Sequence, residues 1–335
     1  MFGSADAWPY LGYNLSRVAE THQLMSEIQE WPRIAVVGAG AVGGYFGGMF
    51  ARAGAPTVFI GRRHFADAVR SKGLVLDKVE GKERVRVNAA TEIDAVRDCP
   101  VILLCVKAND TSAAAAQMAQ FVRPETIVVC LQNGVDNAEK VSAAANIVAI
   151  PAAVYVAVSV PEPGRVKHLA RGDLIIGPAS ETTTKAADLF VRAGIPCSVS
   201  DNIEGELWVK LLRNCALNAI SALGNVRYGE IARNADAKQL MSRVVDEVLA
   251  VARAARVVLP NVHDHESGMA AAMELATQMS DALSSTAQDL SRGRPTEIDA
   301  LNGYIARRGA ELGIPVPVNH ALLTLVKLAE QKGAI

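Results

Sequence analysis

The segment Ile34 to Phe50, IAVVGAGAVGGYFGGMF, limits what this chain can fold into more than any other. Four apolar residues, Ile34 to Val37, run directly into Gly38, Gly40 and Gly43, spaced G-x-G-x-x-G. An Ala-, Phe- and Met-containing stretch continues to Ala53 and stops at Gly54. The pattern predicts a buried strand, a tight turn and a helix, in that order. Gly38 permits the turn, Gly40 lets backbone approach a pyrophosphate, and Gly43 lets the helix pack on the strand. The helix start then faces phosphates with unpaired N–H groups and a positive dipole end. Glycines gather in loops by chance. Between a strand and a helix, the run Gly38, Ala39, Gly40, Ala41, Val42 and Gly43 reads as a dinucleotide-binding turn.

A second strand, Thr57 to Ile60, ends in Gly61-Arg62-Arg63-His64. In a fold of this kind that strand end lies beside the adenosine ribose. An acid there holds the 2′-hydroxyl of NAD, and an arginine accommodates the 2′-phosphate of NADP. This chain has no acid at that point and two guanidinium groups, which suit a dianionic phosphate. Arg62 and Arg63 also read as an ordinary solvated loop pair, but the missing acid favours NADP(H).

From Ile34 to about residue 200, strands and helices alternate as in a doubly wound parallel sheet, a Rossmann-type α/β domain. Segments around Leu74 and Val85, separated by Gly81, predict a hairpin. Val101 to Val106 and Thr126 to Leu131 read as buried strands, with a helix over Thr111–Phe121 between them. Val166–His168 and Leu174–Gly177 read as antiparallel additions. Ligands bind beyond the carboxyl ends of such strands. Lys107 and Asn133 follow two of those ends. Each has a bland reading, a loop cation and a turn residue before Gly134, yet two polar residues on the cofactor side point to function.

The 335 residues, half of them apolar, suffice for two cores. Lys plus Arg number 34 and Asp plus Glu 35, a net charge of −1. That balance leaves no electrostatic footprint for nucleic acid or an anionic membrane. No apolar run approaches the roughly 20 residues that a membrane span needs. The five cysteines lack metal or CxxC spacing and read as free thiols in a reducing compartment, the cytoplasm. Six histidines without HxxxH or HExxH pairing predict no metal site. Residues 1–31 stand outside the pattern as an unassigned extension. They lack a secretory signature. Leu15 to Trp31 reads as a short helix, and Met25 as an alternative start.

Beyond Asp201 only helices are predicted, so a second, all-α domain spans 201–335 after a dinucleotide-binding domain at 32–200. The helices fall at roughly 202–224, 229–257, 265–291, 296–312 and 319–332 by their apolar period. Asp201 with Glu204 reads as a capping box, Gly313 as a C-cap and Asn319 as an N-cap. In the first helix Lys210, Asn214 and Asn218 fall at i, i+4 and i+8, on one face of an otherwise apolar element. A lysine in such surroundings loses proton affinity and can act as a general acid near neutral pH. The alternative is a snorkelling lysine with two asparagines bonding neighbouring helices. Beside a nicotinamide site, the stripe reads better as the wall of a substrate pocket. Ser285 and Glu297, in two further polar runs, read from spacing alone as a helix-end hydroxyl and a helix-dipole partner.

Taken together, the motifs resemble the ketopantoate reductase (2-dehydropantoate 2-reductase) family from residue 33 to about 330. The resemblance rests on GAGAVGGYFGG with GRR, then CVKAND, LQNGVDN, LWVKLLRNCALNAISAL, SSTAQDLSRGRPTEIDALNG and LGIPVPVN, in that order. It implies that Lys210 is the catalytic lysine and that Asn133 lies near the nicotinamide. Asn214 and Asn218 become substrate-pocket asparagines, and Ser285 the serine that binds the substrate carboxylate. Glu297 becomes the acid engaging substrate and lysine, counted also with the cofactor-facing residues. Lys107 becomes a lysine at the cofactor edge and Arg62 the 2′-phosphate arginine. The sequence departs from the family in two places. Tyr228 precedes Gly229-Glu230 where members often have Asn, and Ala282 stands where some have Asn three residues before the serine. Both changes remove polar pocket groups.

The implied activity is NADPH-dependent reduction of a small-molecule 2-oxo acid, 2-dehydropantoate to pantoate, in pantothenate biosynthesis. A reductase of another 2-oxo or β-keto acid is the nearest alternative, and a homodimer is compatible with either. A non-catalytic NADP sensor is the reading from another class, but a sensor has no need of the stripe at Lys210, Asn214 and Asn218.

Overall fold

The structure is a computed structural model that describes residues 30–78 and 81–332. All but the last two residues of the helix expected over Leu15–Trp31, and the alternative start Met25, lie outside the described residues. Ten strands occur among the described residues. They are β1 (Ile34–Val37), β2 (Thr57–Ile60), β3 (Leu74–Lys78), β4 (Gly81–Val85), β5 (Asn88–Ala90), β6 (Val101–Leu104), β7 (Ile127–Cys130), β8 (Ala149–Glu162), β9 (Arg165–Ile176) and β10 (Cys197–Val199). They join in one mixed sheet in the order β4-β3-β9-β8-β7-β6-β1-β2-β5, with β10 beside β9. Helices α1 (Ala41–Arg52), α2 (Arg63–Lys72), α3 (Thr111–Met118), α4 (Asn137–Ala145) and α5 (Glu181–Arg192) accompany it.

β1 is a run of apolar residues without polar alternation, so it belongs where both faces of the sheet are covered. All four of its residues are buried. Parallel pairing sets Val37 level with Ile60 on one side and Leu104 on the other, and Leu104 level with Cys130. Gly38, Gly61, Cys105 and Leu131 therefore leave the sheet along one edge. The parallel part runs β5-β2-β1-β6-β7-β8, the doubly wound order that places ligands at this edge.

Gly38 and Gly43 take the steric roles their spacing suggested. Gly38 has φ +103°, and a Cβ there would stand 2.6 Å from the Cys105 carbonyl carbon. At Gly43 a Cβ would meet the Gly38 carbonyl oxygen at 2.1 Å, so no side chain lets α1 begin where it does. Gly40 is the contrast. Nothing stands within 4 Å of the place a Cβ would occupy.

Two expected additions, Val166–His168 and Leu174–Gly177, belong to the single strand β9, antiparallel to β8. Arg171 (φ +57°) and Gly172 (φ +142°) interrupt the pattern, and the sheet absorbs them as an irregularity instead of ending the strand.

After β10 the chain is helical: α6 (Ile203–Gly224), α7 (Tyr228–Arg233), α8 (Ala235–Ala254), α9 (His265–Gln278), α10 (Ser285–Ser291), α11 (Asn302–Leu312) and α12 (Pro317–Lys332). Three expected helices are shorter or divided. The segment 229–257 divides at Asn234, whose side chain accepts the Ala237 N–H. The segment 265–291 divides before Ser284, which accepts the Ala287 N–H. The segment 296–312 opens with a 3₁₀ turn, Ile298–Ala300, so Glu297 caps that turn and not a long helix. Polar capping residues fit an apolar period without disturbing it, so the period runs through the breaks. Asn202, not Asp201, caps α6 by accepting the Gly205 N–H. Asn319 lies inside α12, where the Glu247 carboxylate accepts the N–H groups of Val318 and Asn319. Gly313 ends α11 at φ +68°, as its spacing suggested.

Ala153, Ile203 and Leu207 form a small buried cluster, with Val135, Tyr155 and Ile175 packed around it. It seats the start of α6 against β8 and β9, one turn before Lys210. Among the described residues no helix is long and apolar enough to cross a membrane.

Gly43→Ala is expected to lower stability by about 1–3 kcal/mol or more, because the added methyl meets backbone that cannot yield. Gly40→Ala should stay within about 0.5 kcal/mol of the parent, as an open-surface change does. Thermal melts of the two variants check the contrast.

Candidate active site

Lys210 sits on α6 with its amine at the carboxyl edge of the sheet. Its Nζ donates to Asn133 Oδ1 at 3.0 Å. Asn133, just past β7, donates from Nδ2 to Glu297 Oε2 at 2.9 Å. The other carboxylate oxygen, Oε1, accepts the Ala108 N–H at 3.0 Å. Four segments apart in sequence thus share one directional chain of hydrogen bonds. Asn133 presents its carbonyl to the ammonium and its NH₂ to the carboxylate, so each group meets its complement.

Asn133 is itself held from behind. Its main-chain carbonyl accepts from Asn137 Nδ2 at 2.8 Å. Asn137 Oδ1 accepts from Thr111 Oγ1, which accepts in turn from Gln132 Nε2. Gln132, Thr111 and Asn137 are all buried. Such a network fixes rotamers because breaking one member strands the others away from water.

Burial lowers the Lys210 pKa to about 8, and Arg171 pushes the same way, while the Glu297 carboxylate opposes both. The Tyr155 ring stands beside the amine, its centroid 5.8 Å from Nζ, and the Arg171 guanidinium lies 4.3 Å from the same centroid. At neutral pH the amine is mostly protonated yet gives up its proton more readily than an ordinary lysine.

Lys107, expected at the cofactor edge, is engaged with the helical half. Its Nζ pairs with Asp289 Oδ2 at 2.8 Å and donates to the Pro295 carbonyl. Arg62 is exposed at the end of β2 and precedes α2. Gly61 brings that strand end against the glycine turn, since a Cβ on it would stand 2.8 Å from the Ala39 methyl. The open space over Gly40 and the first turn at Ala41 and Val42, with a guanidinium at the neighbouring strand end, fit a nicotinamide dinucleotide. α1 begins without a side-chain cap and with no acid in its first turn, which suits an anion there.

The stripe on α6 divides. Asn214 is half-buried and its side chain makes no hydrogen bond among the described residues. Asn218 is 3% exposed, and its Oδ1 accepts from the Tyr228 hydroxyl at 2.7 Å. Ser285 is exposed at the first position of α10, while Ser284 caps the helix and donates to the Asn218 carbonyl. Hence Lys210, Asn133 and Glu297 form one connected group. Asn214 and Ser285 stand free, and Asn218 is taken up by a neighbour.

Sequence reasoning missed Asp289 and Tyr155. Asp289 ends the polar run Ser284–Asp289, but only folding shows that it faces Lys107. Tyr155 is the sole aromatic residue in the apolar run Ile147–Val158, the one signal that pointed to it.

A family model described as ketopantoate reductase PanE/ApbA matches residues 34–181, and one described as its C-terminal part matches residues 202–330. The chain belongs to the ketopantoate reductase family. Curated relatives named 2-dehydropantoate 2-reductase include one from Pyrococcus horikoshii, 31% identical over 90% of this chain and 98% of its own length. Another, from Caulobacter vibrioides, is 32% identical over 88% of this chain and 98% of its own. A crystal structure of a PanE/ApbA family ketopantoate reductase from Ralstonia eutropha JMP134 superposes with a TM-score of 0.85 at 42% identity, covering 90% of this chain and all of that one. D-mandelate dehydrogenase, solved with NADH and anilino(oxo)acetate, shares the fold with a TM-score of 0.83 at 24% identity. As a ketopantoate reductase family member, the chain is an oxidoreductase acting on CH–OH donors. The fold and the family that the motifs resembled are borne out together.

With a proton-donating Lys210, turnover should fall on the alkaline side of an apparent pKa near 8. Glu297→Gln removes the carboxylate that raises the Lys210 pKa, so the alkaline limb should move to lower pH. Steady-state rates across pH 6 to 10, set around the reference pKa values, check both.

Proposed function

We propose that the chain reduces a 2-oxo acid to the 2-hydroxy acid with NADPH, with Lys210 as general acid. The observation that carries this reading is the enclosed Lys210 amine, held through Asn133 and Glu297 at the sheet edge where the glycine turn also ends. In this reading residues 32–200 hold the dinucleotide and residues 201–335 supply the substrate face.

NADPH, held by the glycine turn and Arg62, would supply the hydride that the C2 carbonyl carbon receives. The carbonyl π electrons then pass to oxygen, and the Lys210 ammonium gives that oxygen a proton as charge develops. Asn133 and Glu297 hold the ammonium in place so that no reorientation is needed during the step. Asn214 and the free Ser285 hydroxyl orient the substrate, Ser285 at its carboxylate. The Lys107–Asp289 pair keeps the helical half closed on the loop after β6. Arg62 binds the 2′-phosphate.

The substrate is a branched 2-oxo acid. 2-Dehydropantoate, giving pantoate in pantothenate biosynthesis, is the member to which the curated relatives' names point. A different 2-oxo acid on the same scaffold is the second reading, favoured by Tyr228 and Ala282 where amide side chains are common.

Lys210→Ala should lower kcat by roughly 10²–10⁴-fold, the range for loss of a placed general acid, while NADPH binding by fluorescence titration stays close to the parent. Turnover like the parent's in that variant removes the proton-donor role. Arg62→Ala should weaken NADPH by about ten-fold or more, the worth of a charge-assisted hydrogen bond, and leave NADH nearly unaffected. Equal losses for both cofactors refute the 2′-phosphate assignment.

A further inference from the structure

Outside the Lys210 site, a second set of reactive side chains is connected by hydrogen bonds. Ser242 and Asp246 stand four residues apart on α8, so they share a face. The buried stripe of α8, with Met241, Val245 and Val248, seats that helix in the core and leaves this pair at its border. His265 opens α9 against them. Its Nδ1 lies 2.7 Å from Asp246 Oδ1, and its Nε2 lies 3.3 Å from Ser242 Oγ. A carboxylate only accepts, so the neutral ring carries its proton on Nδ1 and turns the Nε2 lone pair to the Ser242 hydroxyl. The backbone that carries His265 is fixed. Asp264 Oδ1 accepts the Ser267 N–H, and Ser267 Oγ accepts the N–H groups of His263 and Asp264.

We infer that Ser242, His265 and Asp246 form a second reactive centre, a nucleophile, a base and an orienting carboxylate that cleave small acyl esters. The inference is independent of the reductase reading, since none of the three bonds to Lys210, Asn133 or Glu297. The roles are those of a serine hydrolase triad, with the nucleophile–base separation at the loose end that an unliganded site shows. Ser242 Oγ bonds to the acyl carbon, and its proton passes to His265 Nε2. The adduct collapses by breaking the carbon–oxygen bond to the alcohol, whose oxygen takes that proton. Water then gives a proton to His265 and its oxygen to the acyl carbon. The Ser242–acyl bond breaks, and Oγ recovers the proton. An alcohol and a carboxylic acid leave, with nothing oxidised or reduced. The first turn of α9 leaves the His265 and Glu266 N–H groups without a partner among the described residues. They are donors for charge developing on the ester oxygen. The His265 and Asp246 side chains are 47% and 60% exposed. A set this open encloses no long chain, so it suits short acyl groups on good leaving groups.

Hydrolysis of p-nitrophenyl acetate by the full chain tests this, together with peptide mass spectrometry after treatment with a fluorophosphonate. His265→Ala should lower the rate of p-nitrophenol release by about 10²-fold, the low end for loss of a placed base, and Ser242→Ala by at least as much. The fluorophosphonate should add to Ser242 in the parent and fail to add in His265→Ala. Thermal melts report whether the variants fold. A folded Ser242→Ala variant that keeps the parent's rate overturns the inference. So does a parent whose Ser242 takes up no fluorophosphonate, a result that needs no variant.

Discussion

The hydrogen-bond chain from Lys210 through Asn133 to Glu297 and the Ala108 N–H is the contact on which the candidate site depends. Each of its members comes from a different part of the chain. Lys210 belongs to the first long helix after the sheet, Asn133 and Ala108 follow neighbouring parallel strands, and Glu297 precedes a 3₁₀ turn near the C-terminus. No local propensity creates it. It exists because β6 and β7 end level with each other and because α6 is seated on β8 and β9 by the cluster around Leu207. A second tie, Lys107 to Asp289, runs between the same two parts of the molecule.

Two opposing effects set the state of the lysine. Enclosure disfavours the charged amine, and a nearby carboxylate favours it, with enclosure the larger of the two. With a pKa of about 8, the protonated form still predominates at pH 7. Its proton is held less tightly than that of a solvated lysine. Asn133 contributes no charge. Its value is orientation, since an amide can accept from the ammonium and donate to the carboxylate at once. Gln132, Thr111 and Asn137 hold its backbone in place from within the core.

Much of this is legible in the sequence where chemistry and period coincide. Ile34–Val37 and the glycines after them specify strand, turn and helix locally: Gly38 takes a positive φ at the turn, and Gly43 makes room for the Gly38 carbonyl oxygen five residues before it. The i, i+4, i+8 spacing puts Lys210 and Asn214 on one helix face before any tertiary contact is known. Glu297 was different. Spacing alone gave it the role of a dipole partner, and only the family resemblance tied it to Lys210. Asp289 and Tyr155 stayed hidden because their meaning lies in what faces them across the molecule. Helix ends were the weakest reading. Asn234 and Ser284 cap new helices without disturbing the apolar period, and Glu247 supplies a cap to α12 from another helix altogether.

The central claim is spatial: the Lys210 ammonium meets the carbonyl that is reduced. The distance from Lys210 Nζ to the C2 carbonyl oxygen of an unreactive 2-oxo acid analogue, in a crystal of the ternary complex with NADP⁺, tests it most directly. The account predicts about 2.6–3.2 Å, hydrogen-bond reach for a general acid, with Asn133 and Glu297 still bonded in series behind the amine. A carbonyl oxygen bonded to another group, with the Lys210 amine turned away from the analogue, would contradict it.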